Sequence, residues 1–194
     1  MDRRAFFKRS VKTATETTIK HVDESVNNRA RRWIRPPYAI SELQFLMSCT
    51  RCTDCADACP QKIIFPLSAK LGAQVVNTPA MDLLNKGCHL CDDWPCVNAC
   101  EANALELPGL DEDEPNNDSI KWPKLAIAKI NQQECLPFSG PECGACIASC
   151  KIPNALLLKD NKPVIDPELC VGCGLCREFC ITEPRAIEIS TISA

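Results

Sequence analysis

The sequence predicts an α+β fold of two pseudo-repeated modules with little regular secondary structure, preceded by a basic helical leader. Three observations predict it. Sixteen of the 194 residues are cysteine, and they fall into four groups of four. Aromatic residues make up only 5% of the chain, so an apolar core is thin for this length and something else must cross-link the fold. Charge is also divided unevenly. Residues 1–35 carry ten Lys/Arg against four Asp/Glu, and residues 36–194 carry twelve against twenty-one. An acidic body disfavours nucleic-acid binding, which needs a basic folded surface for counterion release. No apolar run approaches the roughly eighteen residues of a membrane-spanning helix.

The leader covers residues 1–34. Its opening DRRAFFKRS has the form of a twin-arginine export signal, with Arg3 and Arg4 followed by Phe6, Phe7 and Lys8. Such a signal continues into an uncharged apolar stretch and a small-residue cleavage site. Here residues 10–32 are polar and charged. Phe7, Val11, Ala14, Ile19, Val22 and Val26 instead trace a weak amphipathic helix. The expectation is a cytoplasmic protein that can touch a membrane surface or an acidic partner through this leader. Periplasmic delivery by twin-arginine export is the alternative.

The first module is expected over residues 35–107, an acidic linker loop over 108–122 and the second module over 123–194. The linker contains DEDEPNND at 111–118 and lies in the longest spacer between cysteine groups, 34 residues from Cys100 to Cys135. The spacers within the modules hold 28 and 19 residues. Between the third and fourth groups, ALLLKDNKPVIDPELC reads as a β-hairpin turning at Asp160 and Asn161. ALEL and KLAIAKI, on either side of the acidic loop, carry a similar pattern. Ala186 to Ile189 reads as a closing strand. Ala56-Asp57-Ala58 and Ile147-Ala148-Ser149 are expected in helices of one or two turns.

The groups are CTRCTDCADACP (Cys49, Cys52, Cys55, Cys59), CHLCDDWPCVNAC (Cys88, Cys91, Cys96, Cys100), CLPFSGPECGACIASC (Cys135, Cys143, Cys146, Cys150) and CVGCGLCREFC (Cys170, Cys173, Cys176, Cys180). The first and fourth share the spacing C-x2-C-x2-C-x3-C. The second widens one gap to four residues and the third widens its first gap to seven. Three thiolates two residues apart wrap a loop around one cube of iron and sulfide. The fourth, opening a helical turn, points away and in two-cluster ferredoxins ligates the other cluster. Disulfides would need an oxidising compartment and strained pairings among such close cysteines. Zinc suits separated CxxC pairs, not complete quartets with a trailing x3-C. Soft thiolates in sets of four therefore predict four [4Fe–4S] clusters held by all sixteen cysteines, in modules like bacterial 2[4Fe–4S] ferredoxins.

Pairing within each module gives the sets Cys49/Cys52/Cys55/Cys100, Cys88/Cys91/Cys96/Cys59, Cys135/Cys143/Cys146/Cys180 and Cys170/Cys173/Cys176/Cys150. The alternative is nested pairing, the first group with the fourth and the second with the third. Thr50, Gly172 and Gly174 are expected to let backbone N–H groups face sulfur. Trp94 and Phe138, in the widened gaps, are expected to shield clusters from water. His21 and His89 are the two histidines, and His89 reads as an ordinary neighbour of its group.

RPPYAISELQFLMSCTRCTDCADACP resembles the entry to the NapF, NapG and MauM ferredoxin-type proteins. CHLCDDWPC is similar to the NapG and MauM spacing, and ECLPFSGPECGAC resembles NapF and NapG. CVGCGLCREFCITEPRAIEIS is similar to the NapG ending. The resemblance covers roughly residues 35–190. It implies a polyferredoxin-like electron carrier serving a periplasmic or membrane-linked respiratory system, with a redox protein, a molybdenum oxidoreductase or a membrane quinol-linked complex as partner. Two departures stand out. The leader is more like that of cytoplasmic NapF, and Pro60 alone follows a fourth cysteine, with Glu101, Lys151 and Ile181 at the equivalent places. The expected function is one-electron transfer without a substrate site, hence no enzyme. A NapF-like assembly factor for a molybdenum enzyme and a structural subunit stapled by its clusters are the other classes.

Overall fold

The structure is a computed structural model, and it describes residues 33–108 and 122–192. The leader helix expected before residue 33 and most of the acidic loop lie outside the described residues. What is described is a mixture of short helices and short strands joined by turns. None of these helices is long and apolar enough to cross a membrane.

Pro36 and Pro37 enter a turn closed by the Ala39 N–H on the Pro36 carbonyl, and helix α1 (Glu42–Ser48) starts only after it. Its sequence ELQFLMS is made mostly of good helix formers and turns Phe45 fully into the core. Helix α2 (Asp54–Ala58) grows out of the first cysteine group and α3 (Pro95–Asn98) out of the second. Strands β1 (Ile64–Pro66) and β2 (Pro79–Met81) pair antiparallel between them, with Phe65 opposite Ala80. In the second stretch, β3 (Ile127–Ile130) precedes α4 (Leu136–Ser139) and α5 (Ala145–Ser149). The hairpin β4 (Leu156–Lys159) and β5 (Lys162–Ile165) follows, then α6 (Leu175–Glu178) and β6 (Ile187–Ser190). Asp160 (φ 51°) and Asn161 (φ 60°) make the left-handed two-residue turn that the sequence predicts.

Strand β3 pairs antiparallel with β6, with Ala128 opposite Ile189. The two runs flanking the acidic loop therefore do not form a hairpin with each other. Leu105 of ALEL bridges back to Ala39, and KLAIAKI finds its partner beyond the fourth cysteine group. The same plan thus occurs in both stretches. An extended segment before the first cysteine group of the stretch meets one after the second, a two-stranded ribbon fills the middle, and two short helices pack together, α2 on α3 and α5 on α6.

The largest core cluster draws on both stretches. Phe45, Leu90, Trp94 and Leu105 lie with Leu125, Ala126, Val171 and Leu175. Trp94 stands edge-on between two aromatic rings, 4.8 Å from Tyr38 and 5.8 Å from Trp122. A smaller core gathers Ala128, Leu156 and Ile187 around Cys146 and Cys176. Many of the core positions are thus occupied by cysteine, where a domain of ordinary composition would place branched aliphatics.

Candidate metal centres

The loops that carry the thiols are wound the same way in three of the four groups. The residue two places after the first cysteine is left-handed in each: Arg51 (φ 63°), Leu90 (φ 46°) and Gly172 (φ 70°). So is the residue two places before the third cysteine: Thr53 (φ 73°), Trp94 (φ 42°) and Gly174 (φ 81°). Left-handed backbone costs about 1 kcal/mol per non-glycine residue and persists only where the surroundings enforce it. The Gly172 N–H donates to Cys170 Sγ at 3.4 Å, as expected of that residue. Sequence reasoning did not single out Arg51, Thr53 and Leu90, because nothing in their side chains announces a left-handed site. Gly140 (φ 123°) reverses the widened third group, whose Gly144 stays at negative φ.

All sixteen thiols are free. Cys55 lies within reach of Cys100, Cys49 and Cys52, and burial first, then these neighbours, push its thiol up to about 12. Cys96 is pushed up to about 12 by burial and then by Cys88, Cys59, Cys55 and Cys91. Cys146 rises to about 11 through burial and its neighbours Cys135, Cys143 and Cys180. Cys176 is raised by burial and by Cys173, Cys170, Cys146 and Cys150. Cys88 and Cys173 are also pushed up, mainly by burial, to about 12 and about 11.

Thiols in this state resist ionising together. Iron requires them as thiolates, so a cationic core must supply the charge that makes the ionised quartet stable. Soft sulfur donors in groups of four, half of the sixteen buried and Cys170 faced by a peptide N–H, fit an iron–sulfur cluster. Among the described residues, no three His, Cys, Asp or Glu side chains converge closely enough to hold a single metal ion. Cys49, Cys52, Cys55 and Cys100 line one pocket with Phe45, Pro79, Ala104 and Leu105, in which Cys55 is buried and Cys52 is exposed.

Other groups tune the sulfurs locally. Burial alone would raise the Cys180 thiol, but hydrogen bonding by Thr182, whose Oγ1 lies 3.2 Å away, and by backbone amides outweighs it and lowers the thiol. Burial raises the Cys170 thiol, against the Gly172 N–H and the charge of Lys124, which donates to the carbonyls of Pro167 and Cys170 at 2.6 and 2.5 Å. Burial and then Asp93 raise the Cys91 thiol, against the charge of Lys151, which donates to the His89 carbonyl at 2.6 Å. His89 Nε2 stands 3.7 Å from the Glu178 carboxylate. Of the aromatics expected as shields, Trp94 is buried in the main core, whereas Phe138 is half-buried with the Lys162 ammonium 5.3 Å from its ring. Thr50 is exposed, and His21 lies outside the described residues.

Comparison with known proteins agrees with this chemistry. The family model described as 4Fe-4S binding domain matches residues 163–184. The chain is 29% identical over 208 residues to ferredoxin-type protein NapG of Escherichia coli (strain K12), covering 98% of this chain and 86% of that one. It is 31% identical over 203 residues to methylamine utilization ferredoxin-type protein MauM of Methylophilus methylotrophus, covering 97% and 86%. Ferredoxin-type protein NapF of Escherichia coli (strain K12) is 28% identical over 157 residues, covering 78% and 82%. No solved structure matches the chain. Four cysteine groups and relatedness along nearly the whole length agree: the chain belongs to the NapG and MauM family of ferredoxin-type proteins, iron–sulfur proteins of electron transfer.

Proposed function

We propose that the protein carries four [4Fe–4S] clusters and relays single electrons between a redox donor and a respiratory or molybdenum-type oxidoreductase, without a substrate site of its own. The observation that carries this reading is the company the buried thiols keep. Cys55 has Cys100, Cys49 and Cys52 near it, and Cys96 has Cys88, Cys59 and Cys91, with Cys55 of the adjoining set also near. Cys146 has Cys135, Cys143 and Cys180 near it, and Cys176 has Cys173, Cys170 and Cys150, with Cys146 of the adjoining set also near. Each set takes three thiols from one group and the fourth from its neighbour, which supports pairing within a module over nested pairing. We call these the first, second, third and fourth quartets in the order given.

Each cluster, when bound, takes up and returns one electron. The chain's own residues set the conditions. The Gly172 N–H faces the Cys170 sulfur, half of the sixteen thiols are buried, and Lys124 and Lys151 add positive charge beside two quartets. The repeated plan of the two stretches supports two modules, residues 35–107 and 123–194, joined by the acidic loop at 108–122. A cytoplasmic, membrane-peripheral location is part of the reading and rests on the polar run after Arg3 and Arg4. The partner is then a redox protein, a molybdenum oxidoreductase or a membrane quinol-linked complex.

The test is iron and acid-labile sulfide per chain on anaerobically purified protein, with EPR during stepwise reduction. About sixteen iron, with reducible spin-coupled signals, is the expected result. Cys173→Ser is expected to lose one cluster and to melt earlier, because cluster binding supplies folding free energy. A full iron complement with unchanged melting in that variant defeats the ligand assignment. Tight binding to an apo-enzyme without turnover electron flow would favour an assembly factor instead.

A further inference from the structure

The helices that carry the thiols show which quartets are neighbours. Helix α2, which holds Cys55 of the first quartet, packs on α3, which holds Cys96 of the second. Helix α5, which holds Cys146 of the third, packs on α6, which holds Cys176 of the fourth. Between the halves, Cys173 of the fourth quartet comes close to Cys88 of the second.

The backbone says the same thing more strongly. The Cys88 N–H donates to the Cys173 carbonyl at 2.7 Å, and the Gly87 N–H donates to Glu178 Oε2 at 2.8 Å. Gly87 has no room for a side chain, since a Cβ there would stand 2.6 Å from the Leu175 nitrogen. Arg177 reaches across to the Leu84 carbonyl at 2.8 Å. The loop of the first quartet is tied within its own half, where Arg51 donates to the carbonyls of Val76 and Gln74.

We propose that the quartets stand in the order first, second, fourth, third, and that electrons cross between the halves at the seam where Gly87 and Cys88 meet Cys173 and Leu175. The inference rests on the four-cluster reading. The crossing is a one-electron exchange: the side that gives is oxidised by one electron, the side that takes is reduced by one, and no proton or bond is transferred. The first and third quartets are then the two ends at which a donor and an acceptor are served. Chain order would have put the second and third quartets in the middle.

The experiment empties the two end quartets in the full chain with Cys49→Ala, Cys52→Ala, Cys135→Ala and Cys143→Ala. About eight iron per chain should remain. Dithionite reduction followed by EPR should then show two mutually interacting centres, with split or broadened lines and fast relaxation. Two magnetically isolated signals from a protein holding eight iron would overturn the order. If the fourfold variant does not load, Cys135→Ala with Cys143→Ala alone decides. The fourth quartet should still interact with the second and give no isolated signal, and an isolated signal there overturns the proposal. A wild-type chain well short of sixteen iron would instead defeat the four-cluster reading, so the two failures are distinguishable.

Discussion

The Arg35 guanidinium forks onto the Glu42 carboxylate, Nε to Oε2 at 2.9 Å and Nη2 to Oε1 at 2.6 Å, with both side chains about nine-tenths buried. The remaining nitrogen, Nη1, donates to Thr78 Oγ1 at 2.9 Å and to the Pro79 carbonyl at 2.7 Å, and the group lies over the Phe45 ring at 4.6 Å. One side chain thus ties the entering segment, helix α1 and strand β2 together just ahead of the first cysteine group. Removing one partner of such a pair leaves a charge buried and alone. Arg35→Ala is expected to destabilise the loaded protein by about 3–5 kcal/mol. Arg35→Lys should recover only part of this, because an ammonium cannot make the fork. Denaturant unfolding of the two variants checks both values.

Gly172 is left-handed, and a Cβ on it would stand 2.0 Å from the Ala126 carbonyl oxygen. An alanine must therefore push the segment before β3 away from the fourth group while holding a strained φ. Gly172→Ala is expected to cost about 3 kcal/mol or more, combining overpacking with backbone strain. It should also lower iron content by roughly one cluster of the four. Iron analysis beside a melting curve tests this, and full occupancy with wild-type melting would count against it.

At the seam, Gly87→Ala brings a methyl group against backbone, 2.6 Å from the Leu175 nitrogen and 2.9 Å from the Gly174 carbonyl carbon. Backbone cannot swing aside as a side chain can. The expected penalty is about 1–3 kcal/mol, and hydrogen exchange at the Cys88 amide should speed up as its bond to Cys173 is stretched. Protection of that amide equal to wild type would place the seam elsewhere.

Iron uptake by the apo-chain should depend on pH in a defined direction. Burial, aided by neighbouring thiols, raises Cys55, Cys88 and Cys96 from an ordinary 9.0 to about 12. Each must give up its proton to bind, so uptake from ferrous iron and sulfide is expected to be tighter at about pH 8.5 than at about pH 6.5. The folded apo-chain also holds these protons more firmly than the unfolded chain does. Its stability is therefore full below about pH 9 and falls as pH rises from about 9 towards 12. Uptake indifferent to pH over the lower range would contradict the raised thiols.

The hairpin was legible in the sequence because its turn is local: Asp160 and Asn161 tolerate left-handed backbone, and apolar runs flank them. The iron–sulfur chemistry was legible because the cysteines stand in four close-spaced groups, whereas the choice of partner group for each fourth cysteine depends on contacts far along the chain. Strand β3 was another matter. ALEL and KLAIAKI carry the same alternation, and nothing in them says that the second pairs with Ile187 to Ser190. That choice is made by packing against Cys146 and Cys176 in the small core. The Arg35 network was missed for a similar reason, since its partners Thr78 and Pro79 are more than forty residues away. Close approach at Gly87 is likewise a property of two backbones, and sequence periodicity does not report it.

The pairing of β3 with β6 also has a temporal side. During synthesis β3 leaves the ribosome about sixty residues before its partner exists, which at 5–20 residues per second is roughly 3–12 s. The first half has both of its ribbon strands and both cysteine groups available before that wait begins. The second half lacks its last thiol until Cys180 is made and the β3–β6 sheet until β6 follows a few residues later. The nascent chain therefore presents two substrates in sequence to whatever delivers iron and sulfide, one module ready early and one held open to the end.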